Sequence, residues 1–225
     1  MSNFTERLSK CYTGVVHDIM RDMEYTNFTL PPEIKPCKNK HVLAGQIFTI
    51  EGEVDKPIEL SIEEILSSFP SEERILKLRC VEGWSMIIPW MGFSLRNLLS
   101  KVKLNSKAKF VEFESIYDPD QMSGQKYPVL NWPYKEGLRI DEAMHPLTTL
   151  VTGLYNKKLP NQNGAPLRIF IPWKYGFKSA KAIVKIKLVE KMPTSSWMWA
   201  SPREYGFYSN AVSYTHLTLP TNREV

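Results

Sequence analysis

Arg79-Cys80-Val81-Glu82-Gly83-Trp84-Ser85-Met86, continued by Ile87-Ile88-Pro89-Trp90, is the stretch on which the fold turns. Ahead of it, Leu76 and Leu78 alternate with Lys77 and Arg79. That is the period of a half-buried strand whose apolar residues share one face. The alternation delivers Cys80 to the strand's end, where the chain turns, beside the cation Arg79 and under the aromatic Trp84. A thiolate in such a place suits a soft, high-valent metal. The alternative is a buried, inert cysteine that acts as a small hydrophobe.

Outward from this strand, the chain is mostly short elements. Ser61-Ile62-Glu63-Glu64 is a capping box: the Ser61 hydroxyl and the Glu64 carboxylate can satisfy the first amides of a helix. It predicts a helix over 62–68, closed by Pro70. A second helix is expected over 94–102, with Leu95, Leu98 and Leu99 as its apolar face. Alternation returns at 109–114 and leads to Ser115, and 118–126 is polar and turn-rich, a surface loop. Three more strands are expected over 147–155, 167–171 and 183–189, with Asn163-Gly164 as a turn between the first two. Strands dominate and helices are short, so the fold class is α+β with a mixed, β-rich core. No internal repeat or low-complexity linker interrupts it.

The first fifty residues differ in character. Residues 11–23 carry Val15, Ile19 and Met23 at helical spacing, Pro31-Pro32 and Pro36 force an extended passage, and 42–50 has the pattern of a buried strand.

Composition narrows the class. A chain of 225 residues with 43% hydrophobic and 24% charged residues is one large domain, or a domain with a small addition, and buries a substantial core. A net charge of +5 helps to hold an anionic cofactor and is no nucleic-acid signature. The three cysteines, Cys11, Cys37 and Cys80, form neither an even disulfide framework nor a CxxC pair. No apolar run approaches the about 18 residues of a membrane span. No charged region followed by an apolar core opens the chain, so no export signal is read and the sequence as written is expected to stay in the cytoplasm.

The wording of the central stretch, together with Pro89-Trp90-Met91-Gly92-Phe93, resembles the molybdenum-binding segment of the catalytic subunits of periplasmic protein-methionine-sulfoxide reductases. These are molybdopterin enzymes with the sulfite-oxidase fold. The resemblance spans about 52–210 and continues through Phe113-Glu114-Ser115-Ile116-Tyr117 and Glu136-Gly137-Leu138-Arg139-Ile140-Asp141-Glu142-Ala143-Met144-His145-Pro146-Leu147-Thr148. Gln162-Asn163-Gly164-Ala165-Pro166-Leu167-Arg168, Pro172-Trp173-Lys174-Tyr175-Gly176-Phe177-Lys178-Ser179 and Glu204-Tyr205-Gly206-Phe207-Tyr208 complete it. It implies Mo-molybdopterin as cofactor, with Cys80 as the protein's one thiolate ligand to the metal. It also implies that Glu82 stands near the metal as a carboxylate able to relay a proton, where the bland alternative is a surface salt bridge. By the same resemblance, Ser115, Asn163, Arg168, Ser179, Ala180 and Lys181 fall on the family's cofactor contacts.

The physical chemistry of those residues agrees with such a role. Arg168 offers a planar fork for a phosphate, and Lys174, Lys178 and Lys181 follow it closely. The alternative for the lysines is a solvated basic face. His145 lines the site or caps a helix, and Trp84, Trp90, Trp132, Trp173 and Trp197 are candidate walls for a substrate, with core burial as the default.

The implied function is removal of oxygen from methionine sulfoxide in proteins, in the periplasm, with electrons from a haem-bearing membrane partner. Sulfite oxidation on the same fold is the runner-up, and a chimeric or truncated chain that binds no cofactor is the non-enzymatic alternative. Expected boundaries are a lead-in over 1–51, the molybdopterin-binding domain over 52–211 and an artefactual tail over 212–225. The lead-in, through Val15-Val16-His17-Asp18-Ile19-Met20, Asn27-Phe28-Thr29-Leu30-Pro31-Pro32-Glu33-Ile34-Lys35-Pro36 and Leu43-Ala44-Gly45, resembles the opening of regulators of ribonuclease activity and related oxaloacid aldolases. None of that family's site residues lies within it. The tail from Val212 is similar to a run found at the ends of unrelated sequences. Reductase-family members carry an export signal and an Asn-Phe-Tyr-Glu type segment ahead of the region that starts at Gly52. Asn27-Phe28-Thr29-Leu30 departs from that segment, so the chain is expected to load cofactor poorly.

Overall fold

The computed structural model describes residues 47–211. The helix expected at 11–23, the proline passage, most of the strand expected at 42–50, Cys11, Cys37 and the tail all lie outside them. The described residues divide between two compact units, 118–128 in one and the remainder in the other.

The larger unit is built on two sheets. Along the chain it runs β1 (Ile47–Gly52), β2 (Ile58–Ser61), α1 (Ile62–Ser68), β3 (Glu72–Arg79), β4 (Ser85–Ser94), α2 (Leu95–Leu99) and β5 (Phe110–Ser115). Then follow β6 (Lys135–Arg139), α3 (Ile140–Ala143), β7 (Thr149–Leu154), β8 (Lys157–Lys158), β9 (Arg168–Phe170), β10 (Ile183–Val189) and α4 (Ser196–Ala200). The first sheet has the order β2-β1-β10-β5-β6, with β1 and β10 parallel and every other pair antiparallel. The second has the order β3-β4-β7-β8, and β9 also pairs with β7.

Alternation decides which face of the first sheet is buried. Val111 and Phe113 of β5 stand opposite Leu188 and Ile186 of β10, and all four are fully buried. Each such side chain contributes about 1.5–3 kcal/mol relative to an exposed one. The intervening residues turn outward as a ladder of charge, with Lys185 3.8 Å from Glu51 and 3.6 Å from Glu114, and Lys135 3.5 Å from Glu114. Phe93, Leu150, Ile169 and the α2 leucines join this core, while Trp90, Val151 and Phe170 face a second, smaller one with Leu76 and Leu78.

The capping box closes as expected: Glu64 N donates to Ser61 Oγ at 3.1 Å and Ser61 N to Glu64 Oε2 at 2.7 Å. The helix expected over 94–102 is shorter. Ser94 still belongs to β4, and after Leu99 the bonds from Lys101 N to Leu98 O and from Val102 N to Leu99 O tighten the chain out of α geometry. Strand β4 was not legible at all, because Pro89 lies in its middle. Pro89 O accepts from Tyr155 N at 3.0 Å, so the ring nitrogen faces the end of β7 and the ladder to β3 loses no donor.

In the smaller unit, the expected surface loop contains a 3-10 turn, Ser123–Lys126. Asp118 anchors it: its N–H donates to Gln125 Oε1 at 2.7 Å, its carbonyl accepts from Met122 N at 2.8 Å and its carboxylate accepts from Gln121.

Candidate active site

Strands β3 and β4 form a hairpin whose loop is Cys80 to Trp84. Cys80 N donates to Trp84 O at 2.9 Å and Gly83 N to Cys80 O at 3.1 Å. Gly83 has φ +93°, a left-handed conformation that glycine adopts without strain. The turn sets the Cys80 thiol 3.7 Å from Glu82 Oε2, and the Trp84 indole N–H donates to the same oxygen at 2.9 Å. Glu82, for which a surface salt bridge was the alternative, is a carboxylate shared between an indole and a thiol.

Cys80 is half-buried, and burial first, then the charge of Glu82, pushes its thiol up. The expectation that Arg79 would hold a thiolate is corrected. Arg79 Nη1 donates to Pro172 O at 3.1 Å, and the charge beside the sulfur is the negative one of Glu82. The backbone N–H groups of Glu82 and Val81 favour the thiolate but are outweighed by burial, and a positive centre on the sulfur would tip the balance.

A second group of residues surrounds Arg168. Its guanidinium is 4% exposed and lies 5.2 Å over Trp90, which stacks on Phe170 with centroids 4.6 Å apart. Nη1 donates to Asn163 O at 3.0 Å, Nη2 donates to Ser179 O at 3.1 Å, and Nε has no partner among the described residues. Burial pushes Arg168 down to about 10. Lys181 is exposed by area, yet its ammonium is densely surrounded and donates to Gln162 O at 3.0 Å. Desolvation, and after it the charge of Arg168, push it down to about 8. Among the described residues neither cation has a carboxylate partner.

The other residues expected here complete the frame. Ser115 Oγ donates to Lys181 O at 2.6 Å, Ser179 Oγ accepts from Ile171 N at 3.3 Å, and Ala180 O accepts from Ile169 N at 3.0 Å. Ser115, Asn163, Arg168, Ser179, Ala180 and Lys181 are therefore brought together, though Asn163 and Ser179 reach Arg168 through backbone carbonyls. Asn163-Gly164 turns as expected, but it closes a 3-10 turn, Asn161–Asn163, and β8 intervenes before it.

Lys174 and Lys178 do not join this cluster, nor do they form a solvated face. Lys178 is fully buried, with Nζ 2.6 Å from Glu136 Oε1, 2.8 Å from Gly137 O and 4.7 Å over the Phe207 ring. Burial raises Glu136, and Lys178 opposes that rise. Lys174 Nζ lies 2.6 Å from Glu142 Oε1 and donates to Tyr208 O at 2.7 Å and to Asn210 Oδ1 at 3.0 Å. Sequence reasoning missed Glu136 as a partner. The available signal was a carboxylate beside Gly137-Leu138 at an inward position of a strand.

The candidate walls separate too. Trp90 is core, while Trp84, Trp132, Trp173 and Trp197 are half-buried. His145 is exposed, accepts from Leu147 N at Nδ1 at 3.1 Å and meets Trp173 edge-on at 4.6 Å.

Residues 41–197 match the family model described as oxidoreductase molybdopterin binding domain. The chain belongs to this molybdopterin-binding oxidoreductase family. Its relatives include the protein-methionine-sulfoxide reductase catalytic subunit MsrP of Xanthomonas axonopodis pv. citri, 56% identical over 195 residues that cover 84% of this chain and 61% of the relative. MsrP of Burkholderia mallei is 56% identical over 180 residues, covering 79% of this chain and 54% of that protein. The chain thus spans between half and two thirds of the length of these curated relatives. Among solved structures, the sulfane dehydrogenase SoxCD of Paracoccus pantotrophus matches with a TM-score of 0.59 and 16% identity, covering 70% of this chain and 41% of that one. That likeness shows the α+β, sulfite-oxidase-like fold.

Family membership brings Mo-molybdopterin as cofactor, and the residues present fit it. Among the described residues, Arg168 is a buried guanidinium with one orphaned nitrogen and neutral carbonyls as its acceptors, which a phosphate would complete. Cys80 offers a half-buried thiol at a turn, the donor type that molybdenum, a soft high-valent metal, takes. Among the described residues no helix is long and apolar enough to cross a membrane.

Proposed function

We propose that this chain is a catalytic unit that removes oxygen from methionine sulfoxide residues in proteins, with Cys80 as the thiolate ligand to molybdenum. The observation that carries this reading is the Cys80–Glu82 turn, a thiol and a carboxylate 3.7 Å apart at a strand end. The 56% identity with a protein-methionine-sulfoxide reductase catalytic subunit supports the choice of substrate.

When bound, Mo-molybdopterin supplies a metal that changes oxidation state by two electrons and accepts an oxygen atom. Cys80 Sγ holds that metal. Glu82 presents Oε2 as an acceptor, held in place by the Trp84 indole N–H at 2.9 Å, and stands within reach of the sulfur to relay a proton there. Arg168 and Lys181 hold the cofactor's phosphate. Ser115, Ser179 and Ala180 orient them through the Lys181 and Ser179 carbonyls and the strand bond from Ile169, and Asn163 fixes the guanidinium through its own carbonyl. Electrons arrive from a haem-bearing membrane partner, and the protein works in the periplasm, as its likeness to MsrP suggests.

The test is Cys80→Ser in protein made with the cofactor supplied. It should lose the thiolate-to-metal absorption band and all sulfoxide reduction, whereas Cys11→Ser and Cys37→Ser keep both. An unchanged metal spectrum in the Cys80 variant overturns the assignment, and turnover of sulfite but not of sulfoxide overturns the choice of substrate.

A further inference from the structure

One face of the β3–β4 hairpin belongs neither to the Cys80 turn nor to the Arg168 cradle. Register fixes its rows: Ile75 lies opposite Pro89, Lys77 opposite Ile87, and Glu73 opposite Met91, which in turn faces Gly153. Residues that face one another in this way share a side of the sheet. The other side, with Leu76, Ile88 and Trp90, is the smaller core. Yet on this outer side Ile75 is 67% exposed and Ile87 64%, diagonal neighbours across the strand pair.

The β7–β8 hairpin extends the patch. Tyr155 N donates to Pro89 O at 3.0 Å, so Tyr155 continues the row of Ile75 and Pro89. Tyr155 and Asn156 form the turn with φ +51° and +55°, both left-handed. A bulky aromatic is strained there, where Asn or Gly would not be. Tyr155 is nevertheless 51% exposed, so core burial does not offset the strain. Cations rim these apolar groups. Lys158 lies opposite Gly153 and Lys157 opposite Leu154, and with Lys77 both are exposed. Among the described residues none of the three has a carboxylate partner, and Glu73 is the one carboxylate in these rows.

We propose that this face docks the protein on an anionic lipid surface, with Ile75, Ile87 and Tyr155 entering the headgroup boundary and Lys77, Lys157 and Lys158 against the lipid phosphates. Charge complementarity selects this occupant. Apolar side chains rimmed by unpaired lysines match a surface that is negative above and apolar beneath. Tyrosine suits that boundary, with its ring in the apolar layer and its hydroxyl in the wet one. A second copy of this chain would instead set lysine against lysine. Cys80 lies three residues beyond Lys77, about 10 Å of strand, so docking holds the Cys80 turn close to the bilayer from which electrons are proposed to come. Docking does not depend on which substrate the site takes, so the two readings fail separately.

The experiment is flotation of the full chain with protein-free vesicles. One set is pure phosphatidylcholine, the other equal parts phosphatidylcholine and phosphatidylglycerol. The chain should float with the anionic set alone and be released as salt rises. Replacing Lys77, Lys157 or Lys158 with Gln should weaken binding about fivefold each. Ile75→Ser combined with Ile87→Ser should weaken it about tenfold or more, whereas Leu66→Ser, at an exposed leucine of α1, should leave it unchanged. Tyr155→Asn separates docking from folding: Asn accepts the left-handed turn, so thermal unfolding should come no earlier than in the wild type while vesicle binding falls. A wild type that does not float with the anionic set overturns the proposal, as does flotation that the isoleucine and lysine variants keep. Without vesicle binding, a dimer or the capture of an oxidised, extended polypeptide that the isoleucine variants abolish assigns the face to a protein and overturns it too.

Discussion

Two pairs of cations, close in sequence, have opposite fates. Lys174 and Lys178 are buried and each meets a carboxylate at 2.6 Å. Arg168 is equally buried, Lys181 stands next to it in charge, and among the described residues neither has a carboxylate. A buried charge with a partner is a structural element. One without a partner costs stability in the bare protein, and its persistence points to an anion that arrives from outside. The two pairs are told apart by their partners, not by their own residue types.

The largest effect should come from breaking a completed pair. Glu136→Gln leaves Lys178 charged in a fully buried site and should cost about 3–5 kcal/mol in urea unfolding. Adding Lys178→Met should recover most of that loss. If the single variant is as stable as the wild type, the pair is not structural and the contrast fails.

Arg168→Ala should behave the opposite way. The cofactor-free protein should be no less stable, because an uncompensated charge has been removed. Retention of the cofactor should fall by about 1.5–3 kcal/mol, ten- to a hundredfold, measured as pterin co-purified per chain. Arg168→Lys should rescue only part, since the planar fork is lost. Full pterin occupancy in Arg168→Ala counts against this cradle.

Gly164→Ala sharpens the comparison by displacing Lys181 without altering charge. Gly164 has φ +98°, and a Cβ there would lie 2.6 Å from Lys181 Cβ. The strain should cost about 1–3 kcal/mol in thermal unfolding and weaken the binding of inorganic phosphate to the cofactor-free protein.

The smallest effect is one of pH. In the folded chain Lys181 releases its proton at about 8, against 10.5 as the ordinary value. Phosphate binding to the cofactor-free protein should therefore weaken as pH rises through about 8, and Lys181→Met should remove that step. Between these two values the unfolded chain keeps a proton that the folded one has released, so stability should rise with pH there.

Local patterns determined much of this protein without tertiary help. The alternation into Cys80, the Ser61–Glu64 capping box and the strand at 183–189 were legible because each rests on residues a few positions apart. The extended resemblance likewise named Cys80, Glu82 and Arg168. Tertiary structure alone decided the rest. Strand β4 contradicts its own Pro89, and is possible only because β7 ends opposite it. Arg79 and Lys178 carry the same charge as Arg168, yet the Pro172 carbonyl and Glu136 claim them from 93 and 42 residues away. Which cation finds a carboxylate depends on pairings made across the sheets, and no spacing within one strand encodes a partner that far along the chain.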